Sequence, residues 1–157
     1  MNRPIFRALL CAAVAMPAVV LAAGTGLTGS YFNNPTFTGT AVTRLDPAID
    51  FTWTGAPGPT GIGADNFAVR WEGQVEAPSS EIHTFHVLAN DGALLWVDDQ
   101  LIVGRTSATS TAGEMAGSIR LEAGRRYNLR LEFIEVTGDA VIRLSWSSSA
   151  LPKQVVP

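Results

Sequence analysis

From Gly24 onward the chain alternates apolar and polar residues with a period of two over short runs. The alternation is clearest in Asn66 to Glu76, Tyr127 to Glu135 and Val141 to Trp146. Successive residues of a β-strand point to opposite faces of a sheet, so each run predicts a strand with one buried side and one solvent-facing side. No window keeps apolar residues at the i, i+3, i+4 and i+7 positions of a helix over three turns. We therefore expect an all-β domain.

Turn-forming residues separate the predicted strands. They occur at Ala56 to Pro59, Ala77 to Ser80, Asn90 to Gly92, Ala123 to Gly124 and Thr137 to Asp139. Roughly ten short strands joined by such turns are typical of an antiparallel β-sandwich or a barrel-like fold. The Gly- and Pro-rich segment Thr54 to Ala64 predicts an ordered surface loop. The small polar residues of Arg105 to Gly117 predict a mobile crossing between sheets.

Residues 1–23 have the layout of an export signal. Two arginines precede an apolar run from Ala8 to Leu21, and small residues follow it at a suitable cleavage position. The run is too short, and too interrupted by Pro17, to anchor stably across a bilayer. We expect a bacterial-type export route, with residues 24–157 left as one domain without a membrane span in a secreted, periplasmic or cell-surface location. A retained amino-terminal anchor is the alternative.

Composition narrows the function classes. Of the 157 residues, 46% are apolar and 16% are charged, which favours a single folded domain over disorder. Cys11 lies in the export signal and is the only cysteine, which excludes a disulfide scaffold and a cysteine-based zinc site. With a formal charge of −3 and no basic stripe, the chain is a poor partner for nucleic acid.

Catalytic residue patterns are weak, and we expect no enzyme activity. Most of the acidic residues fall at solvent-facing positions of alternating strands. His83 and His86 are three residues apart on a predicted strand, so their side chains leave on opposite faces and cannot share a metal. The serines at Ser147 to Ser149 lie in a turn without a nucleophile elbow or a histidine at an identifiable offset.

The segment Asn90-Asp91-Gly92 permits two interpretations. Asn and Asp stabilise tight turns and Gly accepts a positive φ, so this segment and the following pair Asp98-Asp99 can simply be hairpin turns. Adjacent oxygen side chains can also form half of a cage for a hard cation such as Ca²⁺. Calcium takes six to eight oxygen ligands, so the rest would come from elsewhere in the chain.

Taken together, motifs along the chain resemble those of the PA14 domain, a family first described in anthrax protective antigen and found in adhesins, glycosidases and proteases. They are Gly26 to Phe32, Ile49 to Trp53, Phe67 to Gly73, Thr84 to Val87, Asn90 to Gly92, Leu95 to Asp98, Tyr127 to Glu135 and Leu144 to Trp146. The resemblance implies an antiparallel β-sandwich with a barrel-like cross-section.

The resemblance also implies a site. In carbohydrate-binding PA14 domains two consecutive aspartates joined by a cis peptide hold Ca²⁺, which binds vicinal sugar hydroxyls. The matching residues here are Asn90 and Asp91. A later loop in those lectins completes the site, and its equivalent here offers Glu135 as a third side chain with the carbonyls of Thr137 and Asp139. The resemblance thus implies an exported, non-catalytic, calcium-dependent glycan-binding module, and a structural or protein-interaction module is the alternative.

The four tryptophans are candidate sugar platforms, because an aromatic face packs well against the apolar face of a pyranose. Alternation places Trp71, Trp96 and Trp146 in the core. Trp53 adjoins the Gly- and Pro-rich loop, so we expect it to be the exposed tryptophan that contacts a ligand.

Overall fold

Antiparallel β-strands make up the regular structure of the computed structural model, which describes residues 24–106 and 111–157. The export signal expected at residues 1–23 lies outside these residues. The strands are β1 Leu27–Phe32, β2 Val42–Asp46, β3 Asp50–Trp53, β4 Phe67–Glu76, β5 Glu81–Asn90, β6 Gly92–Val97, β7 Gln100–Arg105, β8 Gly113–Leu121, β9 Arg126–Glu135, β10 Ala140–Ser147 and β11 Gln154–Val155. The described residues contain no helix, so none that could cross a membrane. The all-β antiparallel prediction is confirmed.

The strands form two sheets. One has six strands in the order β2-β1-β4-β9-β6-β7, and the other has the order β11-β10-β5-β8, with β3 also paired to β10. The chain therefore changes sheets between β5 and β6, and the interpretation of Asn90 to Gly92 as a hairpin turn is wrong. Asp98 and Asp99 do close a hairpin between β6 and β7, and both have a positive φ, 51° and 62°.

Two predicted connections are also found. No strand interrupts the described residues 54–66, which form the loop between β3 and β4. Strands β7 and β8 belong to different sheets, as expected for a crossing in that region, but β8 begins at Gly113, inside the segment expected to be irregular.

The core lies between the sheets and is filled from alternate positions. In β5 the buried residues are His83, Phe85, Val87 and Ala89, and each is fully enclosed. Trp71 and Trp146 have no exposed surface, as predicted. Trp96 differs from the prediction. Because Leu95 and its alternate neighbours in β6 point inward, Trp96 points to the outer face of the six-stranded sheet and is only half-buried.

A buried carboxylate ties together the first strands of the six-stranded sheet. Asp46 is 2% exposed and accepts hydrogen bonds from the Tyr31 hydroxyl at 2.6 Å and Trp71 Nε1 at 2.7 Å. Arg44 Nε donates to the same carboxylate at 2.6 Å. Buried charge is stable only when it is paired and hydrogen-bonded, so this network fixes β1, β2 and β4 against each other.

Candidate functional site

The connection from β5 to β6 lies at one end of the sandwich, where the chain passes from one sheet to the other. Asp91 is 4% exposed, and the Asn90–Asp91 peptide bond is cis, as the family resemblance implies. Arg105 braces the connection from the end of β7. Its Nη2 donates to the backbone carbonyls of Ala89 at 2.6 Å and Asp91 at 2.7 Å. This contact holds the backbone of the connection at a fixed position against the neighbouring strand.

The segment that follows β9 lies directly against this connection. The backbone N–H of Val136 donates to Asp91 Oδ2 at 2.9 Å, and Asn90 Nδ2 donates to the Asp139 carbonyl at 2.7 Å. Asn90, Asp91, Glu135 and Asp139 are thus brought together from elements about 45 residues apart in sequence. The two segments that the resemblance assigned to one site are in contact.

Glu135 is the most unusual group of this cluster. It ends β9 with no exposed surface, and neither of its carboxylate oxygens has a hydrogen-bond partner within the described residues. Burial, as the largest cause, and then the nearby carboxylates of Asp91, Asp65 and Asp139 together raise the pKa of Glu135 to about 7. The nearby backbone amide of Thr137, which does not make a well-formed hydrogen bond to the carboxylate, opposes the rise in pKa. Loss of hydration and mutual repulsion both disfavour a second buried negative charge here.

Asp65 belongs to the same cluster, but no pattern in the sequence identified it as a site residue. It lies in the loop between β3 and β4, and its Oδ1 accepts the backbone N–H of Gly138 at 2.9 Å. Arg105 was missed as well. Each of these residues contributes one polar side chain and belongs to no recognisable sequence motif. Only the packing of distant segments identifies them.

The donor set can be tested against the calcium ion that the family resemblance implies. Asn90 Oδ1 and both oxygens of Glu135 are enclosed and lack hydrogen-bond partners in the part of the chain that the structure describes. Carboxylate and amide oxygens are the ligands that a hard cation prefers. The described residues 24–106 and 111–157 include no group of three or more His, Cys, Asp or Glu side chains arranged to hold a metal. The chemistry of the donors fits Ca²⁺, with two carboxylates, those of Asp91 and Glu135, and the remaining ligands drawn from amide and backbone oxygens.

Trp53 is not the exposed platform that the sequence suggested. Its ring is half-buried and stacks on Phe51 with the centroids 4.9 Å apart and the planes at 13°. Its edge meets Phe67 at 5.8 Å, and it packs against the main core. Trp53 is paired with Ala140, directly after the loop of the cluster, so it supports the site from within the sandwich. The expectation of an exposed Trp53 is therefore wrong.

A second polar arrangement lies on the outer face of the five-stranded sheet. His86 Nε2 is 2.9 Å from Ser147 Oγ, although the sequence offered no histidine partner for these serines. His86 Nδ1 is 3.4 Å from Glu114 Oε1 without a well-formed hydrogen bond, and Lys153 Nζ holds Glu114 at 2.5 Å. A serine nucleophile needs an imidazole oriented by its carboxylate. Lys153 binds Glu114 Oε2, whereas Glu114 Oε1 faces His86 at a distance longer than a usual hydrogen bond of this kind.

Comparison with known proteins identifies the fold family. The family profile described as PA14 domain matches residues 24–157. The anti-sigma-I factor RsgI3 of Acetivibrio thermocellus is 39% identical over 134 residues, which is 85% of this chain and 21% of that protein. A solved anti-sigma factor domain-containing protein is 37% identical with a TM-score of 0.81, over 85% of this chain and 46% of the other.

A third relative shares the fold at low identity. The PA14 sugar-binding domain of an RTX adhesin is 16% identical with a TM-score of 0.68, over 83% of this chain and 94% of that domain. The chain spans less than half the length of the two anti-sigma relatives. Because the family match covers the whole of residues 24–157, this chain belongs to the PA14 domain family.

Proposed function

We propose that this chain is an exported, non-catalytic carbohydrate-binding module whose glycan site depends on Ca²⁺. The observation that carries the proposal is the set of enclosed oxygen atoms without partners among the described residues, Asn90 Oδ1 and both oxygens of Glu135, beside the buried carboxylate of Asp91. Enclosed acceptors without donors are costly unless a cation or a proton satisfies them.

Each residue of the cluster has a distinct part in the proposed site. Asp91 and Glu135 provide the two buried negative charges, and Asn90 provides a neutral oxygen. The carbonyls of Thr137 and Asp139 are the expected backbone ligands, although the Asp139 carbonyl already accepts a hydrogen bond from Asn90. When bound, Ca²⁺ supplies positive charge and coordination positions that vicinal sugar hydroxyls can fill.

The surroundings of the cluster support this assignment. The exposed carboxylates of Asp65 and Asp139 add to the negative potential that attracts a cation to this end of the sandwich. In its described contacts Arg105 donates to backbone carbonyls, and these bonds fix the connection. The sugar-binding name of the adhesin domain supports the proposal only through the shared fold, because the identity is 16%.

Calcium binding is tested with a matched pair of substitutions, one in the connection before β6 and one in the hairpin after it. Asp91→Asn removes a buried carboxylate of the cluster, and Asp98→Asn removes an exposed one from a hairpin position whose φ of 51° suits Asn. Ca²⁺ at 100 times its Kd raises the free energy of unfolding by about 2.7 kcal/mol. Thermal unfolding and calorimetry are expected to show this gain in wild type and Asp98→Asn, reversed by EDTA, and to lose it in Asp91→Asn.

The glycan is tested by binding to an oligosaccharide array in Ca²⁺ and in EDTA. We expect binding that EDTA and Asp91→Asn both abolish. If millimolar Ca²⁺ changes neither the melting temperature nor the calorimetric heat, the lectin proposal fails. The better account is then a structural or protein-interaction PA14 module, which the 39% identity to part of an anti-sigma factor favours.

Export is tested separately. Amino-terminal sequencing of material recovered outside the cytoplasm is expected to begin at Ala23 or Gly24, after cleavage of the signal. A chain that retains Met1 would contradict export by signal cleavage.

A further inference from the structure

A groove of about 380 Å³ opens on the outer face of the six-stranded sheet, away from the cluster at Asn90 and Glu135. Its polar and aromatic lining comes from β4, β6, β9 and the hairpin between β6 and β7. These side chains are Glu72, Gln74, Trp96, Asp99, Asn128 and Arg130. The groove has no part in the function proposed above.

Strand register aligns the lining into rows. Glu72 is the partner of Arg130 across β4 and β9, and Arg130 is the partner of Trp96 across β9 and β6. The Arg130 guanidinium lies 4.1 Å from the centre of the Trp96 ring, within cation–π distance. Leu101 continues this row on β7 and is 55% exposed. An aromatic ring and an exposed leucine thus lie beside charged groups on this face of the sandwich.

A second row carries amides. Gln74 and Asn128 are cross-strand partners, and Gln74 Nε2 donates to Asn128 Oδ1 at 3.2 Å. In the row beside it, Arg130 Nε is enclosed and lacks a hydrogen-bond partner among the residues that the structure describes. Amides, carboxylates and a guanidinium each offer two adjacent polar atoms, which suits adjacent hydroxyls on one molecule.

The position of the groove excludes several kinds of ligand. Each of the strands β4, β9 and β6 is hydrogen-bonded to a neighbouring strand on both sides, so a peptide cannot add to them as a further strand. The lining carries two carboxylates, Glu72 and Asp99, against the single guanidinium of Arg130, which disfavours phosphates and acidic sugars. An uncharged ligand with several hydroxyls and one apolar face suits this lining.

We propose that this groove binds a neutral oligosaccharide without a metal ion. Trp96 contacts the apolar C–H face of a sugar ring, and the amides of Gln74 and Asn128 bind its hydroxyls. Glu72 accepts from a further hydroxyl.

The groove and the calcium cluster are separate sites. Asn128 and Glu135 lie near opposite ends of β9, about 23 Å apart along an extended strand. They share no lining residue, so either site can exist without the other. The test therefore uses EDTA throughout, which removes any cation-dependent binding from the measurement.

The experiment probes the full chain with an array of uncharged glucose, xylose, mannose and galactose oligosaccharides of two to six units, with acidic oligosaccharides alongside. Wild type is expected to bind at least one neutral oligosaccharide in EDTA. Trp96→Ala and, independently, Gln74→Ala are expected to weaken that binding about ten-fold. Asp50→Asn is the control, and it leaves the binding unchanged because its exposed carboxylate lies on β3, outside the groove.

Gln74 is exposed, so Gln74→Ala keeps the test valid if Trp96→Ala fails to fold. The proposal is overturned if no neutral oligosaccharide binds in EDTA, if only acidic ones bind, or if folded Gln74→Ala binds as wild type does. Loss of binding in Asp91→Asn alone would also overturn it and would assign the glycan to the calcium cluster.

Discussion

Replacing Glu135 by Gln should change how the stability of the metal-free protein depends on pH. Glu135 is fully buried, and its pKa is raised from an ordinary 4.5 to about 7 by burial and by the neighbouring carboxylates. Gln has nearly the same shape but does not titrate. The substitution therefore removes one proton equilibrium and leaves the rest of the cluster in place.

The sign and size of the effect follow from proton linkage. In the unfolded chain Glu135 loses its proton near pH 4.5, whereas in the folded chain it keeps the proton up to about pH 7. Between these values the folded state binds more protons, so the free energy of unfolding falls as the pH rises. A shift of this size corresponds to about 3 kcal/mol, and the loss is complete above the folded pKa. At low pH wild type therefore has a stabilising contribution that Glu135→Gln lacks.

Urea unfolding in EDTA, from about pH 4 to pH 8, measures this difference. The free energy of unfolding of wild type minus that of Glu135→Gln is expected to fall by about 3 kcal/mol over the range. Taking the difference between the two proteins removes the titration of groups that do not interact with Glu135. Glu72→Gln, at an exposed carboxylate of the same sheet, is the control and should follow wild type. Parallel curves for wild type and Glu135→Gln would refute the reasoning.

Two further substitutions test the packing. Asp46→Ala leaves Arg44 without its carboxylate and leaves two buried donors without an acceptor. Urea unfolding should therefore show a loss of about 3–5 kcal/mol in the free energy of unfolding, and a loss below about 1 kcal/mol would contradict the network. At Gly117 an added Cβ would lie 1.9 Å from the Ile102 carbonyl oxygen, so Gly117→Ala should cost at least about 1–3 kcal/mol by forcing β7 and β8 apart. Gly55→Ala has no atom within 4 Å of its added Cβ and should melt close to wild type in calorimetry.

The candidate site shows where local sequence stops being informative. Asn90-Asp91 and the segment from Glu135 to Asp139 could be named in advance because each is a contiguous motif of a familiar family. Asp65 and Arg105 could not, because each reaches the site as one side chain from a separate loop or strand. The burial that raises the pKa of Glu135 arises only when these segments pack together.

Local pattern was sufficient for the strands themselves. Alternation with a period of two reflects the geometry of a single strand, so β4, β9 and β10 and the burial of Trp71 and Trp146 could be predicted without knowing any partner strand. Trp96 lies in the run Leu94 to Val97, where every residue is apolar and alternation gives no direction. The inward face there is chosen by the sheet packed against it.

The same distinction applies to the turns. Asn90 to Gly92 and Asp98 to Asp99 have similar turn chemistry, yet one passes between sheets and the other closes a hairpin. Turn residues define where a strand ends and which backbone angles are allowed. The partner of the next strand is decided by hydrogen bonds and buried area gained from distant parts of the chain, so only the folded sandwich could place Asp91 beside Glu135 and leave Trp96 facing solvent.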